Sequence, residues 1–96
     1  MTDAEILLKV KSALGITGNF QDDTLTVYID EVKGFMKSAG VKENVISSLA
    51  AVGCISRGVA DLWNYGSGNA NLSEYFKMRV LPLRYYNANG DGAKNG

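Results

Sequence analysis

The chain has 96 residues, 46% of them hydrophobic and 21% charged, which reads as one small globular domain with a modest core. Ten basic and ten acidic residues cancel, so the chain lacks the excess of Lys and Arg that free-standing phosphate binding needs. Histidine is absent and Cys54 is the one cysteine, which excludes Ser-His and Cys-His catalysis, His- or thiolate-based metal sites and an intrachain disulfide.

The charge is uneven along the chain. Residues 1–76 carry six basic and nine acidic groups, while residues 77–96 carry Lys77, Arg79, Arg84 and Lys94 against Asp91. The two parts can attract within one subunit or between neighbours. The single cysteine fits a reducing compartment. The start, "MTDAEILLKV", places acids before its apolar run and lacks the pattern of a secretory signal. No stretch approaches the apolar length of a membrane span.

The first predicted element is a helix from Asp3 to Leu14, in which Ile6, Leu7, Val10 and Leu14 recur at three- and four-residue spacing. Thr2 or Asp3 can cap it and Gly15 offers a left-handed stop. A two-glycine loop leads to a strongly amphipathic helix from Gln21 to Ala39. Its buried stripe is Leu25, Tyr28, Ile29, Val32, Phe35, Met36 and Ala39. Asp22 and Asp23 suit the helix dipole at its start, and Gly40 ends it.

A third, longest helix is expected from Lys42 or Glu43 to about Tyr65. Val45, Ile46, Leu49, Val52, Ile55, Val59, Leu62 and Trp63 form its apolar face. Gly53 and Gly58 each cost about 1 kcal/mol against alanine inside a helix, and with the neighbouring small residues they let other backbones come close. This helix is therefore read as the central one.

"GSGNA", residues 66–70, is a flexible linker by composition. In "NLSE", Asn71 and Glu74 have the spacing of a capping box. The helix they open has Leu72, Tyr75, Phe76, Val80 and Leu81 on its apolar side, and Pro82 is expected to end it. Residues 1–86 are thus expected to be one all-α domain, a small four-helix bundle with an extended, partly disordered C-terminal arm. The tail 87–96 has no apolar anchor.

Neither a Gly-rich phosphate loop nor a cofactor motif is present. Asp22–Asp23 and Asp30–Glu31 are adjacent on a helix, so their carboxylates diverge, and capping and solvation account for them. An enzyme is not expected, and neither is a cofactor or metal. Three features remain. In "SRGVADLWN", Arg57 and Asp61 sit one turn apart and either pair with each other or meet a neighbouring subunit. Trp63 either anchors the core or an interface. In "LPLRYY", residues 81–86, Leu83, Tyr85 and Tyr86 belong either to an intramolecular strap or to an intermolecular arm.

In the order and spacing of "DDTLTVYIDEVKGFM", "SRGVADLWN" and the final "LPLRYY", the chain resembles the head–tail connector proteins of tailed bacteriophages, the adaptor or head-completion type. The resemblance runs from about Asp3 to Tyr86. It implies a structural neck protein whose copies form a homo-oligomeric ring, about dodecameric, under the portal. The ring would join head to tail, continue the DNA channel without binding DNA specifically, and receive further neck or tail proteins. The portal protein would be a partner and no membrane would be involved. The location would be the virion's head–tail junction, after assembly in the host cytoplasm. By motif, the contact residues implied are Arg57, Asp61, Trp63, Arg79, Leu83, Arg84, Tyr85 and Tyr86. A reading of another class, a small helical DNA-packaging accessory or DNA-binding protein, is disfavoured by the charge balance. A third is a bacterial interaction module with no phage role.

Overall fold

The computed structural model describes residues 1–86, all helix, turn and loop, with no strand among them. The expected tail, residues 87–96, lies outside the described residues. Five α-helices follow in order: α1 Asp3–Leu14, α2 Asp22–Ser38, α3 Glu43–Ile46, α4 Val52–Tyr65 and α5 Glu74–Leu83, with 3-10 turns at Leu49–Ala51 and Asn69–Asn71.

The first two helices follow their sequence signals. Thr2 accepts from the Glu5 backbone N–H and Glu5 reaches back to Thr2, a complete capping box. Gly15, at φ 71°, closes α1 in the left-handed region. Ile6 and Val10 are buried, with Leu7 and Leu14 packed beside them. On α2, Leu25, Ile29, Val32 and Met36 are buried. Lys11 joins the two helices by bonding Asp22 at 2.7 Å and the Gly18 carbonyl.

The expected long third helix is broken. α3 stops at Ile46, Ser48 is extended at φ −96° and ψ 163°, and a 3-10 turn restarts the chain into α4. The Ser48 hydroxyl donates to the Val45 carbonyl at 2.7 Å. Serine thereby offers the backbone a local partner that competes with the helix ladder. The break lets Val45 and Ile46 turn inward while Leu49, expected on the buried face, is 66% exposed.

α4 is the central element, packed chiefly on α2 and α1, with α5 laid against it. Gly58 is the reason these helices come so close. A Cβ there would meet Phe76 of α5 at 2.8 Å and Val32 of α2 at 2.9 Å. Ile55, Val59 and Leu62 of α4 are fully enclosed, as are Phe76 and Val80 of α5.

The start of α5 also differs from expectation. The N-cap is Ser73, whose hydroxyl accepts from the Phe76 N–H at 3.1 Å. Asn71 instead closes α4: its side-chain amide donates to the carbonyls of Tyr65 at 3.1 Å and Gly66 at 2.9 Å. These are orphan carbonyls at a helix C-terminus, which need donors. The glycine-rich linker is pinned as well, because Glu31 of α2 accepts from the Ser67 hydroxyl at 2.6 Å and the Gly68 N–H at 2.7 Å. Nor does the chain stop at Pro82. α5 runs to Leu83, and residues 84–86 follow in turns that donate to the carbonyls three residues back.

Candidate assembly surface

Asp61 organises the junction of α4 and α5. It is 1% exposed, and both its oxygens are engaged within the chain. Oδ1 accepts from Arg57 Nη2 at 2.7 Å, and Oδ2 accepts from the Ser73 N–H at 2.9 Å and the Ser73 hydroxyl at 2.7 Å. Burial pushes the Asp61 carboxyl up, but the bonds from Arg57 and Ser73 outweigh it and hold the group below the usual carboxylate range. The i,i+4 spacing therefore did make the pair, but its carboxylate faces inward. Asp61 can act on a neighbouring subunit only through what it positions: Arg57 and the first turn of α5.

Arg57 is half-buried, and its Nε has no partner among the described residues. Its guanidinium lies 6.0 Å from the Tyr75 ring centroid, and that of Arg79 lies 5.9 Å from the same ring. Two cations thus flank one exposed tyrosine, each contact worth about 0.5–1 kcal/mol at such a site. Arg79 crosses from α5 to α4, where its Nη2 rests 2.8 Å from where a Gly53 Cβ would stand. Among the described residues it has no carboxylate within salt-bridge distance. Tyr75 was expected on the buried side. It lies one helical turn from Arg79, and that i,i+4 spacing was the signal available for the cluster.

The other anticipated contact residues stand apart from this cluster. Trp63 comes two residues after Asp61 and so points about 200° away round α4. It is 39% exposed and meets Tyr28 of α2 edge-on, centroids 6.3 Å apart. Leu83 is half-buried against the core. Arg84 lies over Gly40 beyond the end of α2, with its guanidinium 5.8 Å from the Tyr85 ring. Tyr85 is 81% exposed and Tyr86 45%. Met78 and Leu81 extend this surface along the outer side of α5, both exposed. The result is a helix that buries one face and presents aromatic, aliphatic and cationic groups on the other.

A family model of phage gp6-like head-tail connector proteins matches residues 5–92. The chain belongs to this family. No curated protein sequence and no solved structure matches it. The match spans α2 to α5 and nearly all of α1, so the connector's Asp61–Ser73 junction and its outward α5 face both fall inside the family region. None of the connector's described helices is long and apolar enough to cross a membrane.

Proposed function

We propose that this connector is a structural protein of the phage neck. In this reading its copies form a ring beneath the portal that joins head to tail and continues the DNA channel. The family match over residues 5–92 is the observation that carries the reading. The surface is consistent with it. The outer face of α5 with exposed Tyr75 and Met78, and Tyr85 just beyond it, has the aromatic and methionine content of protein contact cores, and Arg79 supplies a cation there. Arg57, Trp63, Arg79, Leu83, Arg84, Tyr85 and Tyr86 are proposed to contribute to contacts with the next subunit or the portal, and Asp61 to hold Arg57 and α5 in place. DNA is proposed to pass without specific binding, since a formally neutral chain has little to gain from phosphate neutralisation.

Mass measurement across a concentration series, alone and mixed with the phage's portal protein, tests the reading. Ring-sized assemblies in either condition are expected. A monomer throughout, with the portal present as well, would overturn it. Filter binding at low salt should show weak retention of duplex DNA.

A further inference from the structure

Two surfaces of the molecule have matching chemistry. One is a groove between α1 and α2 with a volume of about 220 Å³. Ala4 and half-buried Leu7 line it, with the buried Ile6 and Ile29 beneath, and Asp3, Asp30 and Lys33 stand at its rim. Asp3 and Lys33 neutralise each other at 3.3 Å. Asp30 is exposed and has no cation within salt-bridge distance among the described residues. The other surface is the flank of α5 where Tyr75 and Met78 are exposed and Arg79, one turn after Tyr75, stands beside them without a carboxylate among the described residues. An apolar floor with a free carboxylate faces outward at one place, and an apolar ridge with a free guanidinium at another.

The helix geometry keeps the two apart within one chain. On α2, Thr26, Ile29, Asp30 and Lys33 line the groove, whereas Tyr28 and Phe35 face α4 and α5: Tyr28 meets Trp63, and Phe35 packs 5.6 Å from Phe76. At 3.6 residues per turn these two sets lie on roughly opposite sides of α2. A chain's own α5 is therefore across α2 from its own groove. A second copy has no such restriction. Because donor and receptor surfaces differ, each copy would use one and leave the other open, which is the heterologous contact that closes into rings when the rotation permits.

We infer that this flank of α5 in one copy seats in the α1–α2 groove of the next, with Tyr75 and Met78 over Leu7 and the apolar floor beneath it, and Arg79 paired with Asp30. The inference rests on the proposed ring reading and names the subunit contact within it.

Disulfide trapping between two variants that each add one exposed cysteine tests it under the conditions, with or without portal protein, where mass measurement shows assembly. Thr26→Cys and Met78→Cys are both at exposed positions, and native Cys54 is buried. Oxidising an equal mixture should give a covalent dimer in at least tenfold excess over either variant alone, and the double variant should give a ladder. Assembly without the mixed dimer, or Met78→Cys dimers forming alone as readily, would place the contact elsewhere and leave the ring reading intact. Absence of assembly under every condition would remove the ring reading and this inference together. Charge reversal adds an independent arm. Arg79→Glu and Asp30→Lys should each weaken assembly at least tenfold with Tm unchanged, and the double reversal should restore it. Single reversals that assemble normally, or a double reversal that does not recover, would overturn the Arg79–Asp30 pairing.

Discussion

Asp61 of α4 is bonded twice to Ser73, through the backbone N–H at 2.9 Å and the hydroxyl at 2.7 Å, and the same hydroxyl accepts from the Phe76 N–H. One buried carboxylate therefore fixes the residue that caps the next helix, and with it the angle at which α5 leaves α4. Replacing Asp61 by Asn should cost about 1–3 kcal/mol, the range for a buried charge-assisted hydrogen bond, with the Arg57 share discounted because Arg57 is half-exposed. Ser73→Ala should cost about 1 kcal/mol as a lost N-cap. Urea titration of the two single variants and the double measures both. The double should lose less than the sum, since the two residues share one network. Strict additivity would mean that the junction is not coupled as described.

The same carboxylate gives the protein an acid-sensitive element. Its pKa is depressed in the folded state, so the unfolded chain takes up the proton first as pH falls. The contribution is complete above the ordinary carboxylate pKa, near pH 3.9, and is lost as pH drops through the lower folded value, at up to about 1.4 kcal/mol per pH unit. Stability measured from pH 5 downward should fall more steeply for the native chain than for Asp61→Asn. Parallel curves would assign the acid sensitivity to other groups.

Gly58→Ala should destabilise the protein and Gly53→Ala should not. At Gly58 the new methyl meets Phe76 and Val32, both enclosed, at under 3 Å. Overpacking of this kind costs about 1–3 kcal/mol, more than the roughly 1 kcal/mol gained in helix propensity. At Gly53 the neighbour is the end of the exposed Arg79 side chain, which can swing aside. That variant should be neutral or up to about 1 kcal/mol more stable. Thermal melts of both variants decide the point, and a stabilised Gly58→Ala would contradict the packing described.

Cys54 should be chemically quiet. Burial pushes its thiol up to about 11, with only a smaller opposing pull from Arg79. The thiolate is the reactive form, so alkylation at pH 8 should run at least ~100-fold slower in the native protein than in denaturant. Comparable rates in the two states would show that α4 opens readily around this residue.

The helical stripes of α1, α2 and α4 were legible from spacing alone, as was a cap for α1 at Thr2 or Asp3, because each depends on residues within one or two turns. The Arg57–Asp61 pair was legible for the same reason. Its inward orientation was not, since that depends on Ser73, twelve residues further on. The break at Ser48 was hidden by an apolar pattern that runs through it without interruption, while the competing hydroxyl bond is a matter of local geometry. For α5 the spacing to Glu74 pointed to Asn71 as the cap. That Ser73 serves instead was settled by Asp61, and by the need of the α4 carbonyls for a donor.

Taken alone, the sequence determined an all-helical chain without histidine chemistry, with a glycine-bearing central helix and a cationic stretch from Lys77 to Arg84. These follow from residue type and short-range periodicity. The tertiary structure decided which side each helix turns outward: Tyr75, Met78 and Leu81 to solvent, Asp61 to the interior, and the Ile6–Ile29 groove across α2 from α5. The physical reason is that exposure depends on which apolar faces find partners across the whole fold. An apolar residue left without a neighbour in its own chain has the same local sequence signature as one in the core.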